Sequence, residues 1–382
     1  MSDKRQNIVI VGGGPGGSSA ARAISTSKKF NGSTHRVILI TARPYFTHLP
    51  AMIRTTVTSE GSIEKLALMN YGDFIPPDKG EVKVGKVVKI TEDGKDQGGS
   101  VTLESGEVVR YSILVLATGN KWNGALDMPD DPKEMQANFD SWRAKFAKAK
   151  NIVLVGGGSV GLEYAGELRD FYPDAKVTIV HSQKQVLNDA YPDKFRKAVL
   201  ARFQKEGVEI VLEDAVDQTE PVDGKITTRK GKSIPADLVL PAWGGRPNTA
   251  FIKESLGDDV LTSSGHVKVQ PTLQLPGHAR IFAVGDIIDW NEQKQAAKAP
   301  AHGAIVAANI VTLVSGSGAL TEYKGSSEII LVTAGRNGGI AYLGILWGIV
   351  LGDWFARMLK SKGLVIEMSR GQYGFPAYKA SA

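Results

Sequence analysis

The sequence predicts an α/β fold with two Rossmann-like domains and a C-terminal α+β segment, and three observations lead to this prediction. A short β-branched run followed by a glycine-rich turn occurs twice, as "NIVIVGGGPGG" at residues 7–17 and "NIVLVGGGSVGLE" at residues 151–163. Each copy continues into an Ala-rich helical stretch and a second apolar strand, "RVILIT" or "KVTIVH". Apolar runs without alternation are typical of parallel strands that helices cover on both faces. The last part of the chain is different, because it is first apolar and Gly-rich and then basic.

The order of the remaining elements divides the chain. After the first unit, "EVKVGKVVKIT" and "GSVTLESGEVVRYSILVLATG" predict a short antiparallel meander that returns to a parallel strand. After the second unit, "GVEIVLE", "GKITTRKGKSIP" and "ADLVLPAWG" repeat that plan. "ARIFAVGDIIDW" then predicts one more buried strand, and "APAHGAIVAANIVTLV" predicts a helix. We therefore predict a discontinuous domain at residues 1–120 and 246–325, a second domain inserted at 121–245, and a C-terminal segment at 326–382.

Composition narrows the function classes. With 382 residues, 42% hydrophobic and 23% charged, the chain is long enough for two or three globular domains. The formal net charge of +6 is mild, which favours a solvated basic surface and leaves nucleic-acid or anionic-membrane affinity as the alternative. The absence of cysteine excludes disulfides, thiolate metal sites and a dithiol relay, and we predict no metal site. No signal-peptide core precedes the first strand and Ser2 replaces the glycine that N-myristoylation needs, so we expect a cytoplasmic protein.

Both glycine turns have the spacing G-x-G-x-x-G between a strand and a helix. In the first unit this pattern is formed by Gly12, Gly14 and Gly17, and the second unit repeats it with Gly156, Gly158 and Gly161. The first glycine permits the tight turn, the second lets the backbone approach a pyrophosphate, and the third allows close packing of helix on strand. The N-terminus of the following helix then offers N–H groups to the phosphates. The repeat therefore predicts two dinucleotide sites in one chain.

Three further features favour a flavin at one of these sites. "LVLATG" ends a strand in Thr118 and Gly119, whose small size lets a cofactor approach the backbone. "IFAVGD" places Asp286 at the carboxyl end of a strand, where it can accept hydrogen bonds from ribityl hydroxyls or cap the next helix. The helix that starts near Ala299 can place its positive end near the flavin and stabilise negative charge on the reduced ring.

Five motifs in this order resemble those of the pyridine nucleotide:flavin oxidoreductases with two dinucleotide folds: "VGGGPGG", "LVLATGNKW", "VGGGSVGLEYAGEL", "GRPN" and "IFAVGD". Within that group the chain resembles the apoptosis-inducing-factor-like flavoproteins, particularly the ferroptosis suppressor proteins and their fungal relatives. The segments "FTHLPAMIR", "VTIVHSQ", "HGAIVAANIV" and "MLKSKGL" carry this second resemblance, which covers nearly the whole chain. The resemblance implies a glutathione-reductase-like FAD/NAD(P) fold, with FAD in the first domain and NADH or NADPH in the inserted one.

The resemblance also implies roles for individual residues. The residues expected to bind FAD are Gly12, Gly13, Gly14, Pro15, Gly16, Gly17, Thr41, Arg54, Lys83 through its backbone, Thr118, Gly119, Asp286 and Ala299. The residues expected along the nicotinamide nucleotide are Gly156, Gly158, Ser159, Gly161, Glu163, His181, Ser182 and Gly245 of the "GRPN" motif. Lys324 matches a lysine near the flavin and the acceptor in that family, although a surface lysine is an equal alternative.

Two positions depart from the family pattern. Thr41 stands where an acidic residue usually binds the FAD ribose, and a hydroxyl can still make one hydrogen bond there. The second unit ends in "VHSQK", so His181 and Ser182 replace the carboxylate that would bind the 2′-hydroxyl of NAD and repel a 2′-phosphate. We therefore predict that NADPH is accepted along with NADH.

The sequence leaves the electron acceptor open. Hydride transfer to a flavin needs alignment more than acid–base groups, so we predict no catalytic triad. Glu163 is the side chain expected nearest the nicotinamide, and the alternative for it is an exposed acid near a helix N-terminus. His302 is a candidate proton donor to the reduced acceptor, and the alternative for it is a histidine that packs between helices. Because no dithiol relay is present, disulfide substrates are excluded, and a quinone, a small electron-transfer protein or oxygen remains. The C-terminal segment makes a quinone the leading acceptor. The alternatives are a ferredoxin- or rubredoxin-like protein, and a flavoprotein whose redox state governs binding to DNA or protein.

The C-terminal segment bears on that choice. Residues 337–352 carry no charge, but sixteen residues are too few to span a membrane. Aromatic and basic residues follow, and such a border suits a surface that rests on anionic lipid. We therefore expect peripheral contact through residues 337–362 with a lipid droplet, the plasma membrane or the mitochondrial outer surface, or else burial of this segment on the flavin domain. A monomer and a homodimer are both compatible with the sequence.

Overall fold

The first glycine turn follows the central strand of the N-terminal part. The computed structural model describes residues 4–94 and 96–378. The strands of this part are β1 Gln6–Val11, β2 His35–Thr41, β3 Tyr45–Thr47, β4 Leu68–Asn70, β5 Gly80–Val84, β6 Val87–Glu92, β7 Gly99–Leu103, β8 Val108–Tyr111, β9 Ile113–Leu116 and β10 Asn120–Lys121. Its helices are α1 Pro15–Ser25, α2 Leu49–Val57 and α3 Ile63–Ala67. The predicted meander forms as the antiparallel sheet β6-β7-β8, whereas β5 pairs in parallel with β2.

The second glycine turn lies in a separate four-stranded sheet. The elements of this part are α4 Pro132–Lys148, β11 Asn151–Val155, α5 Ser159–Phe171, β12 Lys176–Val180, α6 Asp193–Lys205, β13 Glu209–Val211, β14 Lys225–Thr227, β15 Ser233–Pro235 and β16 Leu238–Pro241. The sheet has the order β13-β12-β11-β16, and every pair in it is parallel. β14 and β15 form a two-stranded antiparallel hairpin outside it.

The chain then returns to the first sheet. The elements of this return are β17 Arg246–Pro247, α7 Ala250–Leu256, β18 Val267–Lys268, β19 Gln274–Leu275, β20 His278–Ala283, β21 Ile288–Asp289 and α8 Ala299–Ser315. β20 joins β9 in parallel, so that the first sheet has the order β19-β20-β9-β1-β2-β5. Ile8, Val9 and Ile10 of β1 are fully buried, and helix α1 packs against β1 and β2. The predicted buried, parallel strands are therefore present.

The C-terminal part packs on helix α5. It consists of the antiparallel sheet β22 Ile329–Ala334, β23 Gly338–Leu343 and β24 Ile349–Leu351, then α9 Asp353–Ala356, a π-helical turn Arg357–Ser361 and α10 Ile366–Tyr373. α5 approaches β22 so closely that a Cβ on Gly166 would lie 2.7 Å from the Cα of Ala334. The uncharged stretch 337–352 is thus mostly a strand hairpin. Among the described residues, no helix is both long and apolar enough to cross a membrane.

Candidate active site

The first glycine turn has the geometry that a bound pyrophosphate requires. Gly12 has a φ of +114°, and a Cβ there would lie 2.2 Å from the carbonyl oxygen of Ala117. A Cβ on Gly17 would lie 1.9 Å from the carbonyl oxygen of Gly12, so α1 can sit directly on the turn only with glycine there. Gly14 precedes α1, and a Cβ built on it meets no protein atom within 4 Å. No side chain among the described residues caps this helix at Gly14, so its N-terminal N–H groups can serve a phosphate.

The second turn repeats this geometry residue by residue. Gly156 has a φ of +123°, and a Cβ there would lie 2.5 Å from the carbonyl oxygen of Ala242. A Cβ on Gly161 would lie 2.0 Å from the carbonyl oxygen of Gly156, while one on Gly158 meets nothing within 4 Å. α5 begins at Ser159, and within the described part of the chain no side chain caps it at Gly158. Both turns therefore fit a dinucleotide, as their spacing predicts.

Thr41 and Tyr71 support the first turn from behind. The hydroxyl of Tyr71 donates to the carbonyl oxygen of Gly13 at 2.5 Å, and burial raises the pKa of this tyrosine to about 12. The Thr41 hydroxyl donates to the backbone oxygen of Arg43 at 3.1 Å and accepts from the backbone N–H of Arg43 at 3.4 Å. Sequence reasoning missed Tyr71, because nothing near it in the chain marks a contact with a turn 58 residues away.

His181 supports the second turn in a comparable way. It directly follows β12, and its Nδ1 accepts a hydrogen bond from the backbone N–H of Gly157 at 3.0 Å. Burial lowers the pKa of His181, against a smaller opposing effect of the backbone at Leu187 and Gln185. The imidazole is therefore neutral at pH 7, and Ser182 beside it is exposed. Neither group carries negative charge to the place where the adenine ribose is expected.

The predicted flavin-binding residues meet at the carboxyl ends of β9 and β20. Asp286 accepts a hydrogen bond from the side-chain amide of Asn120 at 2.9 Å. Burial raises the pKa of Asp286, while Lys294, His302 and the Asn120 bond oppose that rise. The Thr118 hydroxyl donates to the carbonyl oxygen of Asn248 at 2.7 Å. Asn120 was missed, although its position directly after the Thr-Gly pair could have pointed to it.

The other predicted cofactor residues lie around this edge. Gly119 has a φ of +63° and open space at its Cβ position, whereas a Cβ on Gly245 would lie 2.6 Å from the Cβ of Asn120. Ala299 is buried at the first position of α8. Lys83 lies on β5 at the sheet edge beside β2, and its ammonium group pairs with Glu107 at 2.9 Å.

His302 is held by protein groups on both ring nitrogens. Its Nδ1 accepts from the backbone N–H of Gly285 at 3.1 Å, and its Nε2 donates to Glu292 at 2.8 Å. Glu292 also accepts from the hydroxyl of Tyr323 at 2.8 Å. Burial raises the pKa of Glu292, but the His302 and Tyr323 bonds outweigh this and hold the pKa below its usual range. Lys324 is exposed on the adjoining loop.

Glu163 connects helix α5 to the C-terminal part. Its Oε1 accepts from the backbone N–H of Thr333 at 3.0 Å and from the ammonium group of Lys360 in the π-helical turn. Lys360 also donates to the carbonyl oxygen of Leu331 at 3.1 Å. No hydrogen bond among the described residues joins Glu163, His302 and Lys324, and their predicted roles stay predictions. Lys360 was missed, because nothing in its basic run distinguishes it from its neighbours.

Arg54 of α2 meets Glu167, which lies one helical turn after Glu163 on α5. Its guanidinium donates to both oxygens of Glu167, at 2.7 and 2.8 Å, and to the carbonyl oxygens of Ser361 and Gly335, at 2.8 and 3.3 Å. Burial raises the pKa of Glu167, and Arg54 opposes that rise. The described contacts of Arg54 are thus with α5 and the C-terminal part, and its predicted approach to FAD stays a prediction.

The chain is similar to known flavoproteins over most of its length. The family described as pyridine nucleotide-disulphide oxidoreductase matches residues 6–303. An FAD-dependent oxidoreductase of Flammulina velutipes, FVFD30, is 44% identical over 82% of this chain and 97% of that protein. Ferroptosis suppressor protein 1 of Homo sapiens is 31% identical over 95% of this chain and 94% of that protein. The sulfide:quinone oxidoreductase structure from Aquifex aeolicus shares the fold, with a TM-score of 0.77 and 19% identity over 97% of this chain and 93% of that one.

These similarities confirm the predicted α/β fold and the predicted resemblance to ferroptosis suppressor proteins and fungal flavoproteins. The family implies FAD and NAD(P)H as cofactors, and both glycine turns have a geometry that fits a dinucleotide. The chain therefore belongs to the pyridine nucleotide-disulphide oxidoreductase family and is an FAD-dependent oxidoreductase that uses NAD(P)H.

Proposed function

We propose that the protein takes hydride from NADH or NADPH and passes the electrons to a ubiquinone-like quinone at a membrane surface. The observation that carries this proposal is the combination of two open glycine turns with a C-terminal part that exposes several large apolar side chains. Because the chain has no cysteine, a dithiol of this chain cannot relay the electrons to a disulfide substrate. One relative in fold is by name a quinone oxidoreductase, and one relative in sequence is a ferroptosis suppressor, which supports a quinone as acceptor.

The residues of this chain would hold and orient the cofactors. FAD, when bound, supplies the redox chemistry by accepting a hydride and releasing its electrons to a second substrate. The N-terminus of α1 would face the FAD pyrophosphate, and Asp286, oriented by Asn120, would accept a hydrogen bond from a ribityl hydroxyl. We propose a positioning role for His302, because it fixes the backbone of Gly285 next to Asp286.

Glu163 would serve the second dinucleotide indirectly. It lies on the second turn of α5, the helix whose N-terminus follows the second glycine turn, and its carboxylate is bonded to Lys360 and Thr333. The C-terminal part therefore attaches to the same helix that is expected to hold NAD(P)H. Lys324 stays a prediction near the acceptor. We keep the proposed division of the chain into 1–120 with 246–325, 121–245 and 326–382, and a monomer or homodimer on the cytoplasmic face of a membrane.

A stopped-flow experiment tests the acceptor. The flavoprotein is first reduced with NADPH and then mixed with a ubiquinone analogue, a ferredoxin or oxygen. The proposal predicts that the quinone re-oxidises the flavin fastest. If a ferredoxin or oxygen outpaces every quinone, the acceptor is a protein or oxygen and the quinone proposal is wrong.

A matched pair of glycine variants tests the division of labour between the two turns. Gly14 and Gly158 both have φ near −75° and open space at Cβ, so valine fits either position without a protein clash. Gly14→Val should fold but purify without flavin, because the side chain occupies the place of the pyrophosphate. Gly158→Val should purify yellow with a KM for NAD(P)H raised by about ten-fold or more. Retention of FAD by Gly14→Val at the wild-type level would contradict the assignment of the first turn.

A further inference from the structure

The turn between β23 and β24 projects two large apolar side chains into solvent. Gly348 donates its N–H to the carbonyl oxygen of Ile345 at 3.0 Å, which closes a four-residue turn with Leu346 and Trp347 at its centre. Leu346 is 72% exposed and Trp347 is 102% exposed, and the latter is the largest exposure among the large hydrophobic residues that the structure describes. Neither side chain contributes to the core, so neither is there to stabilise the fold by burial.

The backbone at this turn makes the choice of residues more unusual. Leu346 has a φ of +47° and Trp347 a φ of +68°, both in the left-handed region that favours Asn and Gly at the centre of hairpin turns. Bulky side chains in this region strain the backbone. A turn serving only to connect two strands would be more stable with Asn-Gly. The Leu-Trp pair is therefore unfavourable both because it exposes apolar surface to water and because it strains the backbone. This combination indicates an interaction with a partner outside the folded chain.

The helix that follows β24 exposes a second apolar stripe with cations beside it. Trp354 is 77% exposed and Met358 is 61% exposed, and their spacing of four places them on one face of the helical stretch. Arg357 and Lys362 are also exposed. The nearby acid Asp353 is engaged, since it pairs with Arg202 at 3.0 Å. Cations that border exposed aromatic residues complement the phosphates of an anionic bilayer surface.

We propose that the Leu346–Trp347 turn is a membrane anchor that inserts into the interfacial layer of an anionic bilayer, with Arg357 and Lys362 on the lipid phosphates. A projecting tip is poorly suited to a protein partner, because a Trp side chain buries at most about 250 Å². A stable dimer buries about 800 Å² per partner, far more than this tip offers. Tryptophan is also the side chain enriched at the membrane–water interface. The inference rests on the proposed function for its place at a membrane, and it names the part of the chain that makes the contact.

Replacing the turn by its preferred sequence separates binding from folding. The double variant Leu346→Asn with Trp347→Gly relieves the left-handed strain, so its melting temperature should equal or exceed that of the wild type. Its affinity for vesicles of phosphatidylcholine with phosphatidylserine, measured by flotation, should fall by roughly ten-fold or more. Val108→Ser, which removes an apolar side chain 57% exposed on β8, serves as the matched control and should bind as the wild type does.

Three outcomes decide the proposal. Equal flotation of the double variant and the wild type overturns the proposal. A change from dimer to monomer in the double variant, with flotation unaltered, also overturns it, because the turn would then contact a second copy of the chain. Loss of flotation in the double variant, with Arg357→Gln and Lys362→Gln weakening only the binding to phosphatidylserine vesicles, supports it. Reduction of a short-chain, water-soluble quinone is measured in parallel. If the wild type fails that assay but still floats, the quinone proposal is wrong and the anchor stands.

Discussion

Acidification should loosen the attachment of the C-terminal part through His48. This side chain is 4% exposed in front of α2, and its Nε2 donates to the carbonyl oxygen of Leu364 at 2.7 Å. Burial lowers the pKa of His48 from 6.5 to about 4; the bond to Leu364 opposes this, and the positive charges of Lys360 and Arg370 add to it. Between pH 6.5 and about pH 4, His48 binds a proton in the unfolded chain but not in the folded chain, so the free energy of unfolding falls as the pH falls. A difference of this size corresponds to about 3 kcal/mol of stability, fully present above pH 6.5 and lost by about pH 4.

The matched variant is His48→Gln, whose amide can keep the bond to Leu364 but does not titrate. Urea unfolding of both proteins at neutral pH and near pH 4 gives the loss of stability for each. Other histidines and the carboxylates titrate equally in the two proteins, so the wild type should lose about 3 kcal/mol more than the variant. Hydrogen exchange of the amides around Leu364 should report the same difference locally. If the two stabilities fall in parallel, His48 is not the group that makes the attachment sensitive to acid.

Two further predictions concern Arg54 and His181. Arg54→Met leaves Glu167 buried without its partner and should destabilise the protein by about 3–5 kcal/mol in thermal or urea unfolding, whereas the double variant with Glu167→Met should recover most of that loss. If Arg54→Met is as stable as the wild type, the Arg54–Glu167 pair contributes nothing to the free energy of unfolding. His181→Asp places a carboxylate where the adenine ribose is expected and should lower kcat/KM for NADPH relative to NADH by about 10- to 100-fold, with an unchanged ratio as the contrary result.

The local parts of the fold were predictable because they depend on residues adjacent in the chain. A glycine with φ above +100° between a buried β-branched strand and a helix is required at Gly12 and at Gly156, and the spacing of the glycines announces it. The place of Asp286 at the end of a strand was likewise visible from "IFAVGD". The hairpin within 337–352 was not predicted, since an uncharged Gly-rich run has no strong period of either kind.

The partners of the candidate site residues could not be predicted, because they are distant in sequence. Glu163 meets Lys360 across 197 residues, and Arg54 meets Glu167 across 113. The sequence marks each of these as one charged residue among many, and only burial against a particular neighbour gives it a defined contact. The same holds for Trp347, whose complete exposure is a property of the folded hairpin.

By itself, the sequence determined the α/β class and the two glycine turns that fit a dinucleotide, because backbone conformation and phosphate binding at a turn are set within about ten residues. Only the tertiary structure decided that the C-terminal part packs on α5, that Tyr71 and His181 support the two turns, and that Leu346 and Trp347 project from the surface. Those features arise when strands and helices far apart in the chain share one core. The free energy of each such contact depends on which side chains are buried together away from water. A local sequence pattern does not show which distant residues these are.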